Sequence, residues 1–175
     1  MNRPRTFMDR FTVGIWRSLT VEGDTPWAAG DYPDLLAMAE SMLAARQKRF
    51  PELVRAGKMD QSQADSTIAI YAAIVADWRW IVTGEGQGAS LPTLDARKAA
   101  LDGSLDTIAQ IAGERRGFTR ELALQAQHVI AMRWHLEPER ETHFFAAITH
   151  KIRADLARKN AGAANAAPAL LRSAA

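Results

Sequence analysis

The chain of 175 residues contains no cysteine, and its longest uninterrupted apolar run, residues 68–76, is nine residues long. The absence of cysteine excludes a disulfide framework and a zinc site built on thiolates. A membrane-spanning helix needs about 20 apolar residues, so none is expected. The first ten residues carry Arg3, Arg5 and Arg10 and lack the apolar segment of a secretion signal. The sequence therefore predicts a cytoplasmic protein that does not cross a membrane.

The net charge is also small, because 22 Lys and Arg are balanced by 20 Asp and Glu. The isoelectric point of 9.2 is nevertheless high. With no cysteine and two tyrosines, few groups titrate between neutrality and about pH 10, so a small excess of base is enough to raise it. A protein that is cationic overall, as non-specific nucleic-acid binders are, is excluded. The hydrophobic content of 47% predicts an ordinary folded domain.

Apolar side chains recur at spacings of three and four residues from Pro33 onward, which predicts helices. Gly57 and Gly117 are typical of helix C-termini, and Thr119 is typical of an N-terminus. A break is expected before Pro51, because the residue that precedes a proline is pushed out of the α region. The predicted fold is an all-α bundle of five or six helices. Their approximate bounds are 33–50, 51–56, 60–83, 94–116, 119–136 and 138–160.

The two ends of the chain depart from this pattern. Apolar residues alternate with others over residues 11–15, which predicts an extended N-terminal arm. The Ala-rich residues 161–175 are interpreted as a mobile tail. We predict one helical domain over residues 1–160, with the glycine-rich linker 84–92 as the boundary if the domain divides into two lobes. The core is expected to contain Leu35, Met42, Ile68, Val75, Leu101, Ile108, Val129, Phe145, Ile148 and Ile152.

One segment, residues 46–78, has a recognisable pattern. It reads Arg46-Gln-Lys-Arg-Phe-Pro-Glu-Leu-Val-Arg-Ala-Gly-Lys-Met, then Gln63-Ala-Asp, Ile68-Ala-Ile, Ala73-Ile and Ala76-Asp-Trp. This segment resembles small uncharacterised helical proteins encoded by phages and prophages. The resemblance covers about 33 of the 175 residues, and that group brings no activity or functional residue with it. It implies an accessory protein of a mobile element rather than a housekeeping enzyme.

The four histidines form two pairs of equal spacing. His128 and His135 are seven residues apart on one predicted helix, and His143 and His150 are seven apart on the next. Seven residues are nearly two helical turns, so each pair shares a face. If the two helices fold back on each other, the pairs approach, and Glu139 lies one turn before His143. Such an imidazole–carboxylate cluster would suit a metal-dependent enzyme.

Helical-wheel positions favour a different role for these histidines. On both helices they lie well away from the apolar stripe, so helices that pack through their stripes would turn them outward. We therefore expect solvated or partner-facing histidines and no cofactor, and the metal-dependent enzyme is the third hypothesis.

Other catalytic motifs give little support to an enzyme. The chain has no Gly-x-Ser-x-Gly and no cysteine nucleophile. Gly84, Gly86 and Gly88 follow a predicted helix rather than a strand, which favours a linker over a phosphate loop. Residues 115–123 begin like a DNA-binding helix-turn-helix, but the second turn is missing.

Two local basic patches emerge from the near-neutral chain, and an acidic partner would dock at either one. The first contains Arg46, Lys48, Arg49, Arg55 and Lys58 against Glu52 alone. The second contains Lys151, Arg153, Arg158, Lys159 and Arg172 against Asp155 alone.

Trp80 lies about 160° from the apolar stripe of its predicted helix and is an interface candidate. The helices predicted over 60–83 and 119–136 are apolar over much of their circumference, so each is central in the bundle or covered by a second copy. The favoured hypothesis is a non-enzymatic interaction protein that binds a protein partner or itself, with a homodimer as one form. The alternative is a nucleic-acid-binding accessory protein that uses the basic patches.

Overall fold

A computed structural model describes residues 25–88, 94–138 and 140–172. Within these ranges the chain forms helices and no strand, which confirms the all-α prediction. The predicted N-terminal arm lies outside the described residues. The helices are α1 (Tyr32–Arg55), α2 (Gln61–Thr83), α3 (Leu94–Glu114), α4 (Arg120–Trp134) and α5 (Thr142–Arg172).

Helix α1 runs through Pro51, so the predicted break before this proline is wrong. Pro51 cannot donate to the carbonyl of Gln47, but both residues are exposed and water can take the donor's place. The helix ends where Gly57 was expected to end it. Gly57 has a φ of 64°, and its N–H donates to the Val54 carbonyl at 3.0 Å while the Lys58 N–H donates to Leu53 at 2.9 Å. This pair of bonds is a Schellman motif.

Helix α3 ends in the same motif with a different residue in the left-handed position. The Arg116 N–H donates to Gly113 at 3.1 Å, and the Gly117 N–H donates to Ala112 at 2.8 Å. The left-handed residue is therefore Arg116, with a φ of 59°, one position before the predicted Gly117. A side chain in this conformation costs roughly 1–2 kcal/mol, which glycine would avoid. Thr119 caps α4 as predicted, since its side chain accepts from the Leu122 N–H at 3.2 Å.

Helices α1 to α4 form a ring in which α1 packs mainly on α2 and α4, and α3 packs on the same two helices. The largest fully buried side chains come from α1, α3 and α4, and they fill the centre of this ring: Leu35, Leu101, Val129, Ile130 and Met132.

Seven of the ten predicted core residues belong to the ring. Of these, Ile68 and Ile108 are half-buried, and the others are buried: Leu35, Met42, Val75, Leu101 and Val129. The three that lie on α5 are exposed, so their assignment to the core is wrong: Phe145, Ile148 and Ile152.

The chain divides into two compact units. The first ends at Arg140 and contains the ring, and the second begins at Glu141 and contains α5. The sequence-based domain limits at 84–92 and 160 stay predictions. Helix α5 also continues to Arg172, past the predicted end at residue 160, because alanine is the best helix former. No helix among the described residues has the length and apolar content that a membrane crossing requires.

Candidate functional site

Five large apolar side chains are exposed on one side of α5. Their exposed fractions lie between 40% and 59%. At about 100° per residue they fall within an arc of about 120°. The Phe144 and Phe145 rings meet edge to face, with their centroids 5.5 Å apart. This surface, the α5 face, consists of Phe144, Phe145, Ile148, Ile152 and Leu156.

Exposed cations surround the α5 face: Lys151, Arg153, Arg158 and Lys159. They are the described members of the second predicted basic patch, and the Arg172 side chain lies outside the described part. The one carboxylate of the patch, Asp155, is exposed and forms an ion pair with Arg158. The second patch therefore lies along the same helix as the apolar surface.

The first basic patch is smaller than the sequence predicted. Its exposed members lie on the last half of α1 and just after it: Lys48, Arg49, Arg55 and Lys58. Arg46 does not belong to it, because this side chain turns into the ring and is half-buried.

Arg46 joins three helices through a polar cluster. Its Nη1 donates to the Met42 carbonyl at 2.9 Å, and its Nη2 donates to Tyr71 Oη at 2.6 Å and to Ser104 Oγ at 3.0 Å. Tyr71 in turn donates to the Ala100 carbonyl at 2.7 Å. Burial lowers the pKa of Arg46, and the nearby Tyr71 opposes that shift. These contacts give Arg46 a structural role between α1, α2 and α3.

The structure does not turn all four histidines outward. His128 and His135 are buried, whereas His143 is exposed and His150 is half-buried. The outward orientation expected for the first pair is wrong, because α4 is buried around almost its whole circumference. Among the residues that the structure describes, no group of three or more His, Asp or Glu could hold a metal ion. Glu139 lies outside those residues.

His135 is held by aromatic packing and by a contact with the backbone. Its Nε2 lies 2.8 Å from the carbonyl oxygen of Ala29, to which that nitrogen donates. Three aromatic rings meet the imidazole edge to face, with centroid distances of 5.5 Å to Tyr32, 5.2 Å to Trp78 and 4.9 Å to Trp134. The arrangement orders the loop before α1 against the end of α4.

A buried ion pair between α2 and α3 escaped the sequence analysis. Arg97 Nη1 lies 2.8 Å from Asp77 Oδ2, and the two side chains are 9% and 4% exposed. The sequence contains one sign of this pair, because Asp77 is a charged residue directly after the nine-residue apolar run on a helix. Trp80, the predicted interface residue, is half-buried on the same helix.

No protein-family model, curated protein sequence or solved structure matches this chain, so these comparisons assign it to no family.

Proposed function

We propose that this protein is a non-enzymatic helical interaction protein that binds a protein partner through the α5 face. The observation that carries the proposal is the exposure of five large apolar side chains on one side of one helix. Large contiguous apolar patches are uncommon on soluble monomers, and a patch with a polar rim is typical of an interaction site. Burying one such half-exposed side chain contributes about 1 kcal/mol, so the five contribute part of the free energy of a complex, while association itself costs about 4–15 kcal/mol.

The polar groups inside the ring have structural partners and are not themselves evidence of a catalytic site. Arg46, Asp77 and His135 have partners that join helices or loops to one another. A catalytic site would instead bring a nucleophile or an acid–base pair together in a cleft.

A double substitution on the α5 face tests the proposal. Ile148→Asp with Ile152→Asp places two charges in the apolar surface. Ala147→Asp with Ala154→Asp is the matched control, because both alanines are exposed and lie on the opposite side of α5. Tagged full-length chains would be crosslinked in cells of the source organism and their neighbours quantified. We expect at least a tenfold loss of a bound protein for the α5-face variant alone, and equal recovery from both variants would refute the proposal.

Nucleic-acid binding is the second candidate. The observation that favours it is the set of four exposed cations, Lys48, Arg49, Arg55 and Lys58, beside the single carboxylate of Glu52. Phosphate contacts weaken steeply with salt. Absence of binding to duplex and single-stranded DNA at about 50 mM salt would remove this candidate.

The association with a mobile element and the cytoplasmic location are also parts of the proposal. The association rests on the resemblance of residues 46–78 to small helical proteins encoded by phages and prophages. The genes that neighbour this one test the association directly. A structural, replication or anti-defence module would each imply a different partner.

A further inference from the structure

We infer that the partner of the α5 face is a protein groove with an apolar floor and acidic rims. This inference rests on the proposed function and names the chemistry of its partner. Phe144, Ile148, Ile152 and Leu156 follow one another at intervals of four residues, and together they span about 18 Å along the helix. A helix that presents such a row is recognised by laying it into a groove of matching length.

The cations flank this row on both sides. Relative to Phe145, a helical wheel places Lys151 and Arg158 beyond one edge of the α5 face and Arg153 beyond the other, while Lys159 continues the row past Leu156. Four cations and the carboxylate of Asp155 give this stretch a charge of +3. A groove that accepts the row would place its rims against these cations, and acidic side chains there would be complementary.

A second copy of the chain fits the α5 face poorly. Two α5 faces in contact would bring two stretches of charge +3 within a few ångströms, and like charges oppose association at low ionic strength. The prediction of a homodimer is therefore not favoured at this surface.

A lipid surface fits poorly as well. Asp155 lies seven residues after Ile148, so it occupies nearly the same angular position inside the apolar arc. Insertion into a bilayer would draw this carboxylate towards the acyl chains, which is unfavourable. In a protein groove Asp155 can keep its ion pair with Arg158, and the partner can place a hydrogen-bond donor beside the carboxylate, which acyl chains cannot do.

A displayed library of ankyrin-repeat proteins with a randomised concave surface provides a defined probe. Clones would be selected on the full-length chain and sorted by loss of binding to the Ile148→Asp/Ile152→Asp variant. We expect the clones that depend on the α5 face to be enriched in Asp and Glu over the starting library. Their affinity should fall at least tenfold between about 50 and about 500 mM salt.

Charge-reversal variants test whether the salt-sensitive contacts of these clones lie at the α5 face. Lys151→Glu/Arg153→Glu/Lys159→Glu should weaken these clones at least tenfold. The control Lys48→Glu/Arg49→Glu/Lys58→Glu makes the same change in net charge on and just after α1 and should leave them unchanged. Equal effects of the two variants would overturn the inference, because the electrostatics would then be general rather than local.

The remaining outcomes separate the inference from the proposed function. Clones that depend on the α5 face but show no acidic enrichment overturn the inference and leave the proposed function intact, whereas a complete lack of such clones refutes both. Analytical sedimentation tests whether a second copy of the chain occupies the α5 face. Flotation with phosphatidylcholine vesicles that contain phosphatidylserine tests whether lipid does. Dimerisation or vesicle binding that Ile148→Asp/Ile152→Asp abolishes would assign the α5 face to a second copy or to lipid, and would overturn the inference.

Discussion

Helices α4 and α5 follow one another in the chain, and both carry apolar residues at helical spacing, but their surroundings differ. In α4 every residue from 126 to 132 is buried, including the polar Gln127 and His128. In α5 the large apolar residues of the α5 face are all at least 40% exposed. Helix α4 packs on α1 and α3, whereas α5 belongs to the second compact unit.

The difference shows what an apolar stripe can and cannot indicate. The stripe identifies the side of a helix that avoids water, but it does not identify what covers that side. Alanines at 123, 126 and 131 let neighbouring helices approach α4 closely, so burial extends around its circumference. Helix α5 keeps its bulky residues on one side and its cations around them, a distribution typical of a surface that a partner covers.

The largest expected effect comes from comparing the buried ion pair of the ring with the exposed ion pair of α5. Asp77→Ala leaves Arg97 buried without its carboxylate and should cost about 3–5 kcal/mol in the free energy of unfolding. Asp155→Ala removes an exposed pair and should cost no more than about 1 kcal/mol. Urea unfolding followed by circular dichroism measures both. Equal costs would show that burial is not what separates the two pairs.

The buried pair of Asp77 and Arg97 can also be replaced as a whole. Asp77→Leu with Arg97→Met replaces both charges by apolar groups of similar size. Because no buried charge is then left alone, the double variant should recover most of the stability that Asp77→Ala loses.

Truncation of one apolar residue in each helix should give the next largest difference. Met132→Ala removes a side chain that is 0% exposed and should destabilise the ring by about 2–5 kcal/mol. Ile152→Ala, on the α5 face, should change the free energy of unfolding by about 0.5 kcal/mol or less. All five tryptophans precede residue 141, so their fluorescence reports on the first unit. A large shift of that signal by Ile152→Ala would contradict the exposure of the α5 face.

The smallest effect concerns Glu137, just after α4. Burial alone would raise the pKa of this carboxyl, but hydrogen bonds from Arg133 and Lys98 outweigh it and the pKa is lowered. Its contribution to stability is therefore complete above the unfolded pKa of about 4.3 and disappears as the pH falls through the folded value. The stability difference between the native chain and Glu137→Gln should be constant near neutrality and shrink in acid. A stability difference that does not shrink as the pH falls into the acid range would contradict the role of the hydrogen bonds.

Much of the fold could be predicted from the sequence, because local rules determine helix ends. Gly57 ends α1 and Thr119 caps α4, as their turn and capping preferences predict. The errors arise where context overrides a local rule. Pro51 remains inside α1 because its surroundings are exposed, and Arg116 takes the left-handed position that glycine would normally occupy.

The candidate site was less accessible to sequence reasoning. The apolar pattern of Phe145, Ile148 and Ile152 is visible in the sequence, but the burial of these side chains depends on what covers the helix. On a helical wheel His135 lies away from the apolar stripe, whereas Arg46 lies on the same side of α1 as Leu35 and Met42, and only its charge suggests exposure. The partners of both side chains come from segments far away in sequence. Hydrogen bonds between distant segments leave no periodic signal, so only the packed structure shows them.

The contact between His135 and Ala29 joins positions 106 residues apart and brings the two ends of the four-helix ring together. The ring is therefore nearly a closed loop of chain. A short peptide bridge could link its end to its beginning, and new termini could be opened at the exposed Gly86 without cutting a helix. The helices would then run in the order α3, α4, α1, α2 with the same neighbours. The ring is thus a natural candidate for circular permutation.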